Sequence, residues 1–124
     1  KKRKPLPFVL LGSNQAAVTA WSNDFNFDDY LSREFSTLAN KNDILIIFST
    51  SGGNTKKKQS INLIKLAKYA KSKKISIVSL LGKGGGYLKK ISNQSIIVNS
   101  YNTASIQEVH KIIFHSICET FENI

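Results

Sequence analysis

The sequence predicts an α/β domain built on a parallel sheet. Short apolar runs alternate with helical patterns along the chain, and these runs are uninterrupted rather than alternating with polar residues. Uninterrupted β-branched runs are typical of strands buried on both faces, as in parallel sheets. Strands that alternate with helices imply right-handed crossovers. We therefore expect ligands to bind beyond the carboxyl ends of the strands.

Nine elements are predicted, and the early ones depend on turn and capping signals. The first strand is an apolar run that Gly12 stops, while Ser13-Asn14 and Asp28 are typical N-caps of the two helices that follow. In chain order, the elements are a strand over 8–11, a helix over 15–21, a helix over 28–38, a strand over 44–48, a helix over 56–74, a strand over 75–81, a helical turn or two over 87–91, a strand over 95–98 and a helix from Ala104 to near the C-terminus.

The later helices are predicted from apolar stripes. The lysine-rich helix has Leu63, Leu66, Ala67 and Ala70 on its inner face. The last helix carries an apolar stripe at the spacing of a helix buried along one side. The stripe consists of Ile106, Val109, Ile113, Ile117 and Phe121.

The central strand leads into hydroxyl groups and glycines, and then into the lysine-rich helix. A strand, a hydroxyl- and glycine-rich loop and a helix in this order can bind a phosphate. The glycines let the backbone approach the anion, and the first N–H groups of the helix face it. Ser49, Thr50 and Ser51 add donors without adding bulk. The alternative is an ordinary turn in which a Ser or Thr caps the helix. The spacing excludes a Walker loop, since no Gly-Lys-Ser/Thr follows.

Composition limits the classes of function. The net charge is +10, from 18 Lys and Arg against 8 Asp and Glu. A polyanion partner is one explanation, but the lysines lack the interleaved aromatic residues that stack on bases, so we do not expect a nucleic-acid partner and prefer a solvated lysine-rich face. The apolar runs are too short to span a membrane. The single cysteine, Cys118, cannot form an internal disulfide, and we expect a cytoplasmic protein.

Gln107 and His115 are candidates for chemistry on the last helix. At about 100° per residue they differ by about 80° and lie about two turns apart, so both can face one cavity. An imidazole there could move a proton or bind a metal. The alternative for His115, which lies in an apolar part of the helix, is a hydrogen-bonded core residue. These two side chains alone could not hold zinc, which needs three or four protein ligands.

Four segments in order resemble the sugar isomerase (SIS) domain family, and within it the phosphoheptose isomerases. The segments are Ser-Asn-Asp-Phe-Asn-Phe-Asp-Asp-Tyr-Leu-Ser-Arg (22–33), Phe-Ser-Thr-Ser-Gly (48–52), Ser-Leu-Leu-Gly-Lys-Gly-Gly-Gly (79–86) and Thr-Ala-Ser-Ile-Gln-Glu-Val-His-Lys-Ile-Ile-Phe-His (103–115). The resemblance implies one flavodoxin-like, three-layer SIS domain over 1–124. It also implies that the family's N-terminal helix, first strand and first loop are missing, an expectation that agrees with the absence of methionine.

The resemblance implies interconversion of sedoheptulose 7-phosphate and D-glycero-D-manno-heptose 7-phosphate, a step toward the heptose of lipopolysaccharide or capsule. It assigns the sugar phosphate to Ser49, Thr50 and Ser51, and other substrate contacts to Asn23 and Asp24. Gln107 and His115 are implied to bind substrate or zinc, and His115 also to transfer a proton. The zinc ligands would be completed by the missing upstream segment. A homodimer or homotetramer is expected.

This sequence departs from the family pattern in the loop after the central strand. Residues 53–59 resemble an insertion, so the further hydroxyl that the family places in the loop could be Thr55, by proximity, or Ser60, by register with the helix. The alternative function is a non-catalytic SIS module that binds a phosphosugar, or a protein partner such as a replication-initiation factor.

Overall fold

The computed structural model describes residues 5–123. Five helices and three strands follow one another in these residues. They are α1 (Gln15–Asp24), α2 (Phe27–Leu38), β1 (Ile44–Ser49), α3 (Ile61–Ser72), β2 (Ser76–Leu81), α4 (Gly86–Ile91), β3 (Gln94–Ile97) and α5 (Thr103–Glu122). No helix in this described part is both long and apolar enough to cross a lipid bilayer.

The three strands form a parallel sheet in the order β1-β2-β3. The register aligns Ile44 with Ser76, and Val78 with Gln94. Each strand is joined to the next by a helix, as parallel strands require. β2 is central, and Ile77 and Leu80 within it have no exposed surface. The predicted α/β parallel-sheet class is confirmed.

Helices cover both faces of the sheet. Leu45 and Ile47 of β1 belong to the core cluster that also contains Ile64 and Ala67 of α3. The neighbouring Phe48 projects from the opposite face, because side chains alternate along a strand. There its ring meets His110 and Phe114 of α5 edge-on. The sheet is therefore the middle of three layers.

The predicted strand over 8–11 is wrong. Phe8, Val9 and Leu10 are 55%, 66% and 76% exposed, and none of them belongs to a described strand. The Phe8 N–H donates to the Leu6 carbonyl within the same segment. An apolar run becomes a strand only where a neighbouring strand completes its hydrogen bonds, and no described strand pairs with this one.

Of the N-caps predicted for the first two helices, that of α1 is confirmed and that of α2 is wrong. Asn14 caps α1 as expected, accepting from the Ala17 N–H at 3.1 Å. The second helix is capped by Asn26, which accepts from the Asp28 N–H at 2.7 Å, so the prediction of Asp28 as the cap is wrong. α1 also continues to Asp24, three residues beyond the end of the helix predicted over 15–21.

The third helix begins at Ile61, five residues later than predicted. Residues 54–59 form a small antiparallel hairpin instead, with paired backbone bonds between Asn54 and Gln59. The Asn54 side chain accepts from the Lys57 N–H at 3.0 Å, a local bond that competes with helix formation. Lys58 and Ser60 both have φ of +52°, which is incompatible with an α-helix.

The buried line of α5 differs from the predicted stripe. Ile106 and His110 are its buried residues, whereas Val109 and Phe121 are exposed. The helix faces the carboxyl end of β2, where a Cβ on Gly82 would collide with Ile106. This close approach sets the rotation of the helix, which the apolar spacing alone does not determine.

Candidate phosphate-binding site

A tightly wound loop follows β1 and holds two serine hydroxyls in place. The Ser49 side chain accepts from the Gly52 N–H at 3.1 Å, and the Ser51 side chain accepts from the Gly53 N–H at 3.1 Å. The two Oγ atoms lie 3.5 Å apart. Gly52 and Gly53 have φ of +66° and +78°, the left-handed conformation that glycine adopts without strain. The loop backbone therefore fixes the hydroxyl groups.

The loop after β2 packs directly against this one. A Cβ on Gly52 would overlap the carbonyl oxygen of Gly85, so only glycine permits the approach. The Leu88 N–H donates to the Gly52 carbonyl at 2.8 Å, and the Tyr87 N–H donates to the Gly53 carbonyl at 3.0 Å. The first N–H groups of α4 are therefore used by the loop itself and do not face an anion.

The N-terminus of α3 has donors to offer. Ser60 is its N-cap residue, but the Ser60 side chain makes no capping hydrogen bond. The first N–H groups of a helix have no backbone partner within the helix. In α3 the Leu63 N–H donates to the Asn62 Oδ1 at 2.9 Å, so the Ile61 and Asn62 N–H groups are the donors that remain. The Ser60 Oγ instead lies 3.3 Å from the Ser51 Oγ. Three hydroxyls (Ser49, Ser51 and Ser60) thus form a chain that leads from the end of β1 to the start of α3.

This geometry decides which hydroxyl lies beside the loop. Ser60 contacts Ser51, whereas Thr55 is exposed on the hairpin over 54–59. The chain leaves the loop through the hairpin over 54–59 and returns to the loop at Ser60, next to Ser51. Thr50 lies between the two loop serines and is half-buried. The phosphate-binding roles of these residues stay predictions, and the observed geometry is compatible with them.

Cationic side chains lie around this edge of the sheet. Lys56, Lys57 and Lys58 are exposed on the hairpin. Lys83, in the loop after β2, donates through its Nζ to Thr103 Oγ1 at 3.0 Å, and its N–H donates to the Ser100 carbonyl at 3.2 Å. The loops that follow all three strands therefore carry polar donors, as expected for the carboxyl edge of a parallel sheet.

The two histidines of α5 have different environments. His115 is exposed, so the alternative that it is a core residue is wrong. His110 has that role: it is 4% exposed, and its Nε2–H donates to the Leu81 carbonyl at 3.1 Å. The burial of His110 was not predicted, although its position four residues after Ile106 is a signal for the buried line. The catalytic role of His115 stays a prediction.

The remaining predicted residues lie on exposed helix surface. Gln107 is exposed on α5. Asn23 and Asp24 are exposed at the end of α1, where the Asn23 amide donates to the Asp24 carboxylate at 3.0 Å. The hydrogen bonds of residues 5–123 do not connect this pair to the Ser49–Ser51 loop. Their substrate-binding roles stay predictions.

Gln107 and His115 do not make a zinc site by themselves. They offer one amide oxygen and one imidazole, and a zinc site needs at least three protein ligands. Within residues 5–123, no group of three or more His, Cys, Asp or Glu side chains could hold a metal ion.

The chain is similar in sequence to proteins named phosphoheptose isomerase. The relative from Crocosphaera subtropica is 39% identical over 120 residues, which are 97% of this chain and 58% of the relative. The relative from Campylobacter concisus is 39% identical over 121 residues, which are 98% of this chain and 61% of the relative. No protein-family model matches the chain. The chain spans about three fifths of the length of the curated relatives that it matches.

The fold is similar to two solved structures. A phosphoheptose isomerase from Francisella tularensis has a TM-score of 0.89 and 30% identity, covering 98% of this chain and 62% of that one. A phosphoheptose isomerase from Neisseria gonorrhoeae has a TM-score of 0.79 and 30% identity, covering 87% and 58% respectively. The predicted resemblance to phosphoheptose isomerases is thus confirmed, and the similarity extends over nearly the whole of this chain.

Proposed function

We propose that this chain supplies the phosphate-binding part of a phosphoheptose isomerase, which interconverts sedoheptulose 7-phosphate and D-glycero-D-manno-heptose 7-phosphate. The observation that carries the proposal is the convergence of the Ser49, Ser51 and Ser60 hydroxyls at the N-terminus of α3. Relatives named for this activity match 97–98% of the chain.

The phosphate group is the anchor of the substrate. Hydroxyl donors and the first N–H groups of α3 would bind its oxygens, and the positive end of the helix dipole favours its charge. The lysines at 56–58 raise the local concentration of anionic substrate, because long-range attraction speeds encounter. An anchored phosphate holds the other end of the sugar in a fixed place, which reduces the entropy cost of the reaction.

The isomerisation itself is a transfer of two protons. A base removes a proton from C1, the carbon beside the ketose carbonyl, and the carbonyl oxygen on C2 takes up a proton, which gives the enediol. C2 then takes up a proton while the hydroxyl on C1 loses one, which gives the aldose. We assign His115 as a proton-transfer residue and Gln107 as a donor to the sugar oxygens, both from their positions on the resembling motif. Asn23 and Asp24 are assigned to the sugar hydroxyls on the same ground.

Zinc, the location in the cell and the oligomeric state belong to the same proposal. Gln107 and His115 could be two of the zinc ligands, and a third ligand would have to join them. A bound zinc ion would stabilise negative charge on the sugar oxygens. A cytoplasmic location follows from a phosphorylated substrate, since its charge prevents free passage across a membrane. A homodimer or homotetramer agrees with the exposed apolar residues Ile112 and Phe121 on α5.

Ser51→Ala in the native full-length protein tests the proposal. The change removes the hydroxyl that links Ser49 to Ser60. We expect the KM for sedoheptulose 7-phosphate to rise roughly 10-fold, equivalent to about 1.4 kcal/mol, the size of one hydrogen bond to a charged group. Thr55→Ala is the matched control, since Thr55 is exposed on the hairpin.

Three results would contradict the proposal. The first is the absence of isomerase turnover in the unmodified protein, which would favour a non-catalytic binding module. The second is an unchanged KM in Ser51→Ala. The third is an equal effect of Thr55→Ala, because the loss would then not depend on the Ser49–Ser51–Ser60 chain.

A further inference from the structure

A second basic pocket lies at the opposite end of the sheet from the Ser49–Ser51 loop. It has a volume of about 280 Å³ and surrounds the start of β2, where α3 and α4 both end. The six residues of β2 separate the two ends by roughly 17 Å, so this is a different place from the phosphate loop. Its polar lining consists of Lys71, Lys74, Ser76, Lys90, Ser92 and Asn93.

The charge of this pocket is one-sided. Three lysines line it, and neither Asp nor Glu does. Within residues 5–123, none of Lys71, Lys74 and Lys90 forms an ion pair with a carboxylate. Three lysines thus line one pocket without a counter-charge from the described protein.

The C-termini of α3 and α4 account for only part of the positive charge in this pocket. The C-terminus of each helix carries about half a negative charge, which a cation in the last turn stabilises. The two helix ends, of α3 and α4, together amount to about one negative charge. Three lysines exceed that by about two positive charges, so the pocket retains an attraction for an anion.

Neutral donors in the pocket are held in place by the fold. The Asn93 Oδ1 accepts from the Ile77 N–H at 2.8 Å, and the Asn93 N–H donates to the Ile77 carbonyl at 2.9 Å. These bonds fix the carboxamide and use its oxygen, which leaves its NH₂ group as the donor. The Ser92 hydroxyl donates to the Leu88 carbonyl at 2.8 Å and lies 2.7 Å from the buried Ser79 hydroxyl, so it is held in place and its proton is already used. The pocket therefore combines lysine cations with one oriented neutral donor, the Asn93 NH₂ group.

We propose that this pocket binds a small polyphosphate anion, with a pyrophosphate group as the part recognised. The excess of about two positive charges attracts any phosphate group, and a pyrophosphate group, which carries more negative charge than a single phosphate, is attracted more strongly. The volume of about 280 Å³ corresponds to roughly nine water molecules, enough for such a group. Lysine binds phosphate oxygens as a point charge, and the Asn93 amide would add an oriented donor. This inference does not depend on the isomerase proposal.

The test is a titration of the isotope-labelled native full-length protein with inorganic pyrophosphate, followed by amide resonances. We expect saturable shifts at Ser76, Ser92 and Asn93, with weaker binding of inorganic phosphate at matched ionic strength. Ser51→Ala should leave these shifts unchanged, which separates the pocket from the phosphate loop. An arm with a nucleoside diphosphate shows whether the group is recognised free or as part of a larger molecule.

Matched lysine variants locate the binding. Lys90→Gln should weaken pyrophosphate binding roughly five-fold, while Lys89→Gln, a change next to it on α4 but outside the pocket, should weaken it less than about two-fold. Lys74→Gly is a second variant with little risk to the fold. Lys74 has φ of +58°, a conformation that glycine adopts freely, so its loss of binding would report the missing charge.

Several results would overturn the inference. These are no saturable shift, equal weakening by Lys89→Gln and Lys90→Gln, or abolition of binding by sodium chloride at the same ionic strength. Shifts confined to Ser51 and Gly52 would assign the anion to the other site. Tighter, competing binding of a single-stranded oligonucleotide at the pocket would mean that the ligand is a macromolecule and not a small polyphosphate.

Discussion

At the level of single residues, the two histidines of α5 differ in role: His110 stabilises the fold, whereas His115 is the one proposed to take part in the reaction. His110 is buried, and its ring hydrogen-bonds to the Leu81 carbonyl, which also accepts from the Val98 N–H at 2.8 Å. The carbonyl therefore keeps a partner if the imidazole is lost. His115 lies on the same helix but is exposed, so it does not fill the core as His110 does.

The two histidines predict opposite phenotypes. His110→Leu should lower the free energy of unfolding by about 1 kcal/mol, the net value of one hydrogen bond. Ile106→Ala, which leaves a cavity beside Gly82, should lower the free energy of unfolding by about 2–5 kcal/mol.

His115→Gln should leave the free energy of unfolding unchanged and abolish most turnover. Urea unfolding of the full-length protein measures stability, and an isomerase assay measures turnover. Intact turnover in His115→Gln would refute the role assigned to His115.

Tyr30 predicts how stability depends on alkaline pH. Burial and the neighbouring Glu34 carboxylate raise the pKa of the Tyr30 phenol above its ordinary value of 10.0. The folded state therefore favours the neutral phenol, and this contribution is complete below pH 10.0 and is lost as the pH rises through the folded-state pKa.

Tyr30→Phe removes this titration. Its unfolding free energy should fall less steeply than that of the unmodified protein above pH 10.0. Tyr101→Phe, which removes a phenol that is 79% exposed, is the control and should keep the original slope. Parallel slopes for all three proteins in urea unfolding would show that Tyr30 does not contribute.

At the level of the elements, the contact between two glycine loops holds the Ser49–Ser51 loop in place. The loops are those over 49–53 and 82–86, and backbone bonds from Tyr87 and Leu88 join them. This contact needs a glycine at 52, because a side chain there would occupy the space of the Gly85 carbonyl.

A pair of glycine substitutions isolates this contact. Gly52 and Gly84 both have positive φ, of +66° and +80°, but a Cβ on Gly84 meets nothing within 4 Å. Gly84→Ala should therefore pay only the conformational cost of about 1–2 kcal/mol. Gly52→Ala should cost more than that in urea unfolding and also raise the KM. Equal losses for the two variants would mean that the loop contact is unimportant.

The hairpin over 54–59 shows why element boundaries were harder to predict than elements. Lysines at 56–58 suit a helix, and the pattern predicted one from residue 56. The Asn54 side-chain bond and the pairing with Gln59 stabilise a turn instead. That turn decides that Ser60, and not Thr55, approaches Ser51.

At the scale of the whole molecule, apolar surface remains on the α5 side of the sheet. Ile112 is 66% exposed, and Phe121 meets the ring of the exposed Phe8 edge-on at 5.7 Å. At about 100° per residue, Ile112 and Phe121 lie on opposite sides of α5, so they are two separate exposed apolar positions. Exposed apolar surface is a common feature of subunit interfaces. The surface is the basis for expecting self-association.

Ile112→Lys tests the oligomer. A charge at the centre of a subunit interface is costly to bury, so the variant should shift the full-length protein toward the monomer in light scattering. Thr37→Lys, at an exposed position on α2, is the control for added positive charge. A monomeric unmodified protein, or identical masses for Ile112→Lys and the unmodified protein, would contradict the expectation.

Three features could be predicted from the amino-acid sequence alone: the α/β class, the three paired strands and the loop that places Ser49 and Ser51 at the carboxyl edge. These features are local: a strand-length apolar run, a glycine turn and a helical period identify them without knowledge of neighbours. Tertiary structure decided the exposure of residues 8–10, the burial of His110 and the approach of Ser60 to Ser51. Each of these depends on which distant segment supplies a hydrogen bond or fills a space, and spacing along one segment does not contain that information.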